Sequence, residues 1–417
     1  MTVQNSHCEV QNEDNGPRIS AGHSIRRLFF HFELFTLNFS LPEGWSRRTL
    51  AGVRAKLLNW FDRHQRDLPW RRGADGAAGG PRDAYCVWVS EVMLQQTTVA
   101  AVVPYFERFV AALPDLHALA SADEQQVLKL WEGLGYYRRA RHLYAAARAL
   151  VRSHGGALPD DPAVWDALPG VGRYILGAVL SQAFDRRLPI VEANSLRVLS
   201  RLFGYRGDPR AGEGKAWVWA AAEAVLPAKR CGDFNQSLME LGALVCTPAA
   251  PECGSCPLAA NCEAKRLGLQ SAIPPKKKPP VIVEVSEVGI VIRHGDKLLV
   301  CKRPADAGRW QNMWEVPHAP RADGEDVSAA AARVARELTG FEVEPGAEVA
   351  TIKHGVTRYA ITLACVEAAL AGGAFAPGAY AEAKWVTPAE LAAFPVSAPQ
   401  RKLMTALANP NRQPRLF

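Results

Sequence analysis

The chain reads as two folded parts in series, an all-α domain and a smaller α+β domain, behind an N-terminal extension. Three observations carry this reading. Between residues 47 and 268 apolar side chains recur at helical spacing, broken by capping and glycine signals. Four cysteines crowd between Cys246 and Cys262, near the end of that stretch. Beyond Pro274-Pro275-Lys276-Lys277-Lys278-Pro279-Pro280, a basic segment stiffened by proline, the pattern turns to strands. The expected divisions are an extension over 1–46, polar and disordered at its start, a helical domain over 47–268, a linker over 269–282 and a second domain over 283–411.

Composition bounds the function. At 417 residues, 48% apolar and 22% charged, the chain has the makeup of a soluble globular protein with more than one core. A net charge of +7 is compatible with a polyanionic partner. No apolar run approaches the roughly 20 residues of a membrane span. The polar N-terminus, MTVQNSHCEVQNEDNG, carries no export signal. A reducing cytoplasm is the expected compartment for its nine cysteines.

The elements follow in order. Leu50–Phe61 reads as an amphipathic helix, then comes Leu68-Pro69-Trp70-Arg71 and a Gly/Ala-rich loop, Gly73–Gly80. Tyr85–Leu113 reads as one helical region. Glu91 lies inside its apolar run, where an ionised carboxylate is costly and burial raises the pKa towards that of a proton donor. Leu116–Leu150 reads as two helices around Gly133-Leu134-Gly135-Tyr136-Tyr137. A short helix led by Asp160 or Asp161 and Pro162 precedes the tight turn Leu168-Pro169-Gly170-Val171-Gly172, and a helix from Tyr174 to Phe184 follows it. Gly170 and Gly172 leave backbone N–H groups bare at a helix N-terminus, where a phosphate can dock. About twenty residues on, Glu192-Ala193-Asn194 follows the apolar Leu188–Val191. An anion-gripping turn followed by a carboxylate points to chemistry on a phosphodiester-linked substrate.

Cys246-x6-Cys253-x2-Cys256-x5-Cys262 places four thiols within seventeen residues. Such a set wraps one metal centre, either zinc or an iron–sulfur cluster. Cys8, Cys86, Cys231, Cys301 and Cys365 stand apart and read as ordinary thiols. In the second domain, Val288–Ile292 and Leu298–Lys302 flank a His294-Gly295-Asp296 turn. A helix ends at Gly340, strands follow around Thr351–Glu367 and Trp385-Val386-Thr387, and a helix closes the chain.

LPGVGRY resembles the helix-hairpin-helix of the endonuclease III superfamily. SEVMLQQT around Glu91, GLGYY at 133–137 and the 6-2-5 cysteine spacing narrow the resemblance to the MutY-type adenine DNA glycosylases. It implies an all-α helix-hairpin-helix glycosylase domain with a 4Fe-4S cluster loop over 246–262, and an α+β Nudix-like C-terminal domain. It further implies removal of adenine mispaired with 8-oxoguanine or guanine in double-stranded DNA, by a monomer working at the nucleoid. Glu91 is then the general acid, and Glu192 stabilises the reacting sugar with Asn194 and Tyr174 positioning it. Trp70, Arg71 and Gln236 line the base pocket, Gln96 and Tyr136 wedge into the duplex, and Thr357 meets the oxidised base. Cys246, Cys253, Cys256 and Cys262 hold the cluster.

Tyr174 stands where bifunctional relatives carry a Schiff-base lysine, so strand cleavage by that route is not expected. This chain departs from the family at Glu192-Ala193-Asn194-Ser195, where relatives read DGNV. Its extra methylene predicts a carboxylate displaced by about 1.3–1.5 Å if the backbone holds. A catalytically weakened, lesion-binding paralogue and a glycosylase/lyase are the alternatives. Only Glu325, Arg333 and Glu337 fall on the metal-binding Nudix box, so nucleotide hydrolysis is not expected. Arg358 replaces the histidine of the family's lesion-reading loop.

Overall fold

The computed structural model describes residues 41, 45–73, 82–277 and 279–408. The expected disordered segment at the start of the chain and most of the Gly/Ala-rich loop lie outside the described residues.

Helix α1, Arg47–His64, starts on a capping box between Ser46 and Thr49 and buries Leu50, Val53, Leu57, Trp60 and Phe61. One tight turn follows at Pro69–Arg71. The expected helical region over 85–113 holds two helices, α2, Ala84–Leu94, and α3, Val99–Ala112, broken at Gln95–Thr98. The break falls where Gln96 takes a left-handed backbone, with φ of 59°. The expected pair over 116–150 is three helices, α4 (Leu116–Ser121), α5 (Glu124–Leu130) and α6 (Arg138–His154). Asp123 caps α5 through the Gln125 N–H, a start signal the periodicity hid.

Asp161 caps α7, Pro162–Asp166, and the glycine turn leads into α8, Arg173–Phe184. Gly170 has φ of 74°, and a Cβ there would lie 2.5 Å from the His142 Cβ, so only glycine fits. Then come α9 (Ala193–Leu202), α10 (Gly212–Val225), α11 (Cys231–Leu244) and the single turn α12 (Glu263–Arg266).

These helices form two lobes. One core runs from Leu68 to Leu188, the other joins α1 to α9, α10 and α11. Because α1 crosses to the second lobe, the chain passes between lobes twice, and the residues at that seam are polar. The start of the linker is anchored rather than solvated: Arg201 Nε donates to the Ile273 carbonyl (2.8 Å) and Arg210 to that of Pro275 (2.6 Å).

The second domain is a seven-stranded mixed sheet in the order β3-β2-β1-β6-β5, with β4 pairing β1 and β7 pairing β2. The strands are β1 (Val283–His294), β2 (Lys297–Lys302), β3 (Trp314–Glu315), β4 (His318–Pro320), β5 (Phe341–Val356), β6 (Tyr359–Gly373) and β7 (Glu382–Val386). Strands β1 and β6 run parallel, the other pairs antiparallel. Helix α13, Val327–Thr339, covers one face and α14, Ala398–Ala408, the other, so the middle of β1 is buried on both sides. The domain docks on the first lobe. Met313 is buried in that lobe's core, Trp314 Nε1 donates to Gln125 (3.0 Å), and Arg401 forms a fork on Glu132 (2.5 and 3.0 Å). Among the described residues no helix is long and apolar enough to cross a membrane.

Gly170→Ala is expected to destabilise the fold by roughly 2 kcal/mol, from the left-handed backbone and the His142 contact together. An unchanged melting temperature would show that the turn relaxes.

Candidate active site

Glu91 is completely buried on a helix that packs against α8. Tyr174 donates its hydroxyl to Glu91 Oε2 (2.5 Å), and the Gln182 and Gln236 side-chain amides reach Oε1 at 2.7 and 3.5 Å. Burial pushes the Glu91 carboxyl above its usual pKa, against the hydrogen bonds of Tyr174 and Gln182 and the charge of Arg71. Burial, and then the Glu91 charge, hold Tyr174 well above an ordinary phenol, so it remains a donor.

Behind Gln236 stands an ion cluster. Arg71 donates to Gln236 Oε1 (2.9 and 2.6 Å) and to Glu240 (2.9 Å), and Arg66 forms a second fork on Glu240 (2.8 and 2.9 Å). Burial alone would raise the Glu240 pKa, but the two arginines outweigh it and hold it at about 2. Gln182 and Glu240 went unnoticed in the sequence. Each interrupts an apolar run as Glu91 does, and the same cost argument flags them.

Glu192 caps its own helix, α9. Its carboxylate accepts from Asn194 N (2.7 Å) and Ser195 N (2.6 Å), and from Asn194 Nδ2 (3.1 Å). The side chain thus curls back over the helix N-terminus. Ala193 is the first helical residue and exposed, so the glycine freedom of the family loop is not required. Arg197 fixes the Asn194 side-chain oxygen (2.8 Å). Burial raises the Glu192 pKa against those backbone donors, and the Glu91 charge raises it further, so the two carboxyls sense each other. Gly242 lets α11 reach this cap, since a Cβ there would meet Asn194 at 2.5 Å. Glu192 lines a cavity of about 840 Å³ with Arg197, Lys215 and Trp219 on its walls. Glu91 is not among its lining residues.

Other expected residues separate into those at the site and those elsewhere. Arg71 and Gln236 join Glu91. Trp70 is 1% exposed and packs edge-on against Phe106 in the first lobe's core, on the same turn as Arg71. Gln96 and Tyr136 are exposed on neighbouring loops, both with left-handed backbone. Thr357 sits in the two-residue turn between β5 and β6, exposed, its hydroxyl donating to the Val356 carbonyl (2.7 Å).

The four clustered thiols line one cavity of about 30 Å³. Arg201 donates to Cys246 Sγ (3.3 Å), and none of the described cysteines is in a disulfide. Among the described residues no three His, Cys, Asp or Glu side chains converge as ligands of a single ion. The all-thiolate donor set suits zinc or an iron–sulfur centre. In the second domain Glu325 and Glu337 both pair with Arg333 (2.8 and 3.1 Å), which holds Glu325 at about 2. These box carboxylates clamp an arginine rather than a metal.

With this geometry in hand, comparison with known proteins is direct. Residues 89–221 match the model of the HhH-GPD superfamily of base excision DNA repair proteins, and residues 287–406 match a NUDIX domain. The chain is similar to an adenine DNA glycosylase of Buchnera aphidicola subsp. Schizaphis graminum, 34% identical over 263 residues, covering 63% of this chain and 73% of that protein. The chain belongs to the adenine DNA glycosylase family. The mouse adenine DNA glycosylase is 46% identical over 229 residues, covering 54% of this chain and 44% of that protein. The chain thus spans less than half the length of the mammalian family members it matches. A thermostable thymine-DNA glycosylase structure overlays with a TM-score of 0.46 at 26% identity, covering 53% of this chain and 98% of that one.

Two stability effects follow. Glu240→Gln is expected to cost about 2–4 kcal/mol, because it strands two arginines. The lowered Glu240 pKa gives stability that is present above about pH 4 and lost as the pH falls towards 2. Glu91→Gln should have the opposite effect, since the raised pKa makes the ionised wild type the less stable form. Its melting temperature should exceed wild type at alkaline pH and converge with it in acid. Equal melting curves at every pH would contradict the burial argument.

Proposed function

We propose that this protein is a monofunctional glycosylase that removes adenine from 8-oxoguanine·adenine and guanine·adenine pairs in double-stranded DNA. The observation that carries the reading is Glu91, a fully buried carboxyl bonded by Tyr174 and Gln182 and electrostatically coupled to Glu192. The adenine is evicted from the duplex with Gln96 and Tyr136 entering the space it leaves. Entry of the base requires Tyr174 or Gln236 to move aside, since both now bond Glu91. Glu91 gives its proton to a ring nitrogen of adenine. The bond between C1′ and the base breaks, its electron pair leaving with the purine. Glu192, held by two backbone N–H groups at the start of α9, stabilises the positive sugar. Water adds to C1′ and returns a proton to Glu91, leaving free adenine and an abasic site.

Tyr174 supports the monofunctional assignment, because a phenol forms no imine with the sugar. Cys246, Cys253, Cys256 and Cys262 would hold the 4Fe-4S cluster, whose place here is to fold the 246–262 loop. Thr357, on its exposed turn, would meet the oxidised base from the C-terminal domain. The protein would act as a monomer in the reducing cytoplasm, at the nucleoid.

Single-turnover excision on a duplex with one 8-oxoguanine·adenine pair tests the reading. Glu91→Gln should slow it by at least about a thousandfold. The wild-type rate should fall as the pH rises through the raised Glu91 pKa, because the protonated form is the active one. Undiminished release by Glu91→Gln would sink the mechanism, and a covalent adduct trapped by borohydride would favour a lyase. Purified protein should carry about four irons and four inorganic sulfides per chain, lost in Cys256→Ser. Stoichiometric zinc would replace the cluster assignment.

A further inference from the structure

The two exposed side chains assigned to the duplex, Gln96 and Tyr136, belong to segments far apart in sequence. Gln96 follows α2, and Tyr136 precedes α6. Both hold left-handed backbone conformations, with φ of 59° and 49°, although neither is glycine. Such conformations cost of order 1–3 kcal/mol each unless their surroundings impose them. One side chain imposes both. Arg139, in the first turn of α6, donates Nη1 to the carbonyls of Val92 (2.8 Å), Met93 (2.9 Å) and Gln95 (2.5 Å). Its Nη2 reaches Thr97 Oγ1 (3.4 Å) and the carbonyls of Leu134 and Gly135 (3.3 Å each). The first four acceptors bracket Gln96, and the last two lead into Tyr136. The guanidinium also lies 5.5 Å from the centres of the Tyr136 and Trp131 rings.

These partners are all carbonyl and hydroxyl oxygens, three of them at the C-terminal end of α2, where carbonyls lack helical partners and the dipole favours a cation. Burial lowers the Arg139 pKa to about 10, which leaves it charged at neutral pH. A planar fork is needed to reach acceptors on two loops at once, and a lysine ammonium on one flexible stem cannot span them.

We propose that Arg139 is a positioning residue that locks the Gln96 and Tyr136 loops into one rigid wedge, so that the two side chains enter the duplex together. The inference rests on the reading that Gln96 and Tyr136 enter DNA. It makes the two residues one functional unit and Arg139 the part that defines it.

A double-mutant cycle of Gln96→Ala and Tyr136→Ala, followed by single-turnover excision, tests this with Arg139 intact. A single unit predicts that each variant slows excision by about 30-fold and the double variant by no more than about 3-fold beyond the slower single. Multiplying effects would overturn the proposal. Arg139→Lys supplies the second measurement, read with 2-aminopurine in place of the target adenine. It should lose the extrusion fluorescence and slow excision about as much as either wedge variant, with the Glu91-dependent pH profile unmoved. Wild-type extrusion and rate in Arg139→Lys would also overturn the proposal, and if that variant fails to fold, the cycle decides alone. No adenine release by the wild-type protein would instead count against the proposed function, before any variant is compared.

Discussion

The burial of one carboxyl group constrains the rest of the helical domain. Glu91 lies at the seam of two lobes, and an acid there is tolerable only if polar groups are brought to it. Helix α8 supplies Tyr174 and Gln182, and α11 supplies Gln236. Gln236 has a particular place in this arrangement. Its carbonyl oxygen takes the Arg71 guanidinium while its amide faces Glu91. A neutral group thus separates the acid from the nearest cation. Direct contact would pull the Glu91 pKa down and spoil it as a proton donor. Glu240 absorbs the arginine charge instead, and is itself held at about 2. Two buried carboxyls in neighbouring positions are tuned in opposite directions by what each one touches.

Glu192 illustrates a different solution. Burial raises its pKa, and the backbone N–H groups at the open end of a helix, then the Arg197 charge, work against that rise. Its carboxylate is fixed by the backbone N–H groups of Asn194 and Ser195. The C-terminal domain makes the contrast plain: there Glu325 and Glu337 both pair with Arg333.

Much of this was legible in the chain itself. The Gly170 turn and a cap at Asp160 or Asp161 ahead of α7 follow from residue chemistry, and Asp161 supplies the cap; the buried Glu91 follows from the resemblance of SEVMLQQT. The division into a helical domain and a mixed-sheet domain was equally plain, because the period of the apolar pattern changes after the proline-rich segment. The breaks at Gln95–Thr98 and Ala122–Asp123 were not legible. Nothing in QQTT forbids a helix locally, and the interruption is imposed by Arg139 from 40 residues away. Trp70 was ambiguous in the sequence, because an indole suits a base pocket and a core equally, and the structure packs it edge-on against Phe106. Glu192 was legible as a carboxylate after an apolar segment but not as the cap of its own helix, because that role depends on how the backbone turns into α9.

The central claim is that burial holds the Glu91 carboxyl above its ordinary pKa. Difference infrared spectroscopy of wild type against Glu91→Gln, across a pH series, observes that group's proton directly. The account predicts a protonated-carboxyl band that persists well above the usual glutamate pKa of about 4.3. A band already lost at about that pH, with a carboxylate signal in its place, would contradict it.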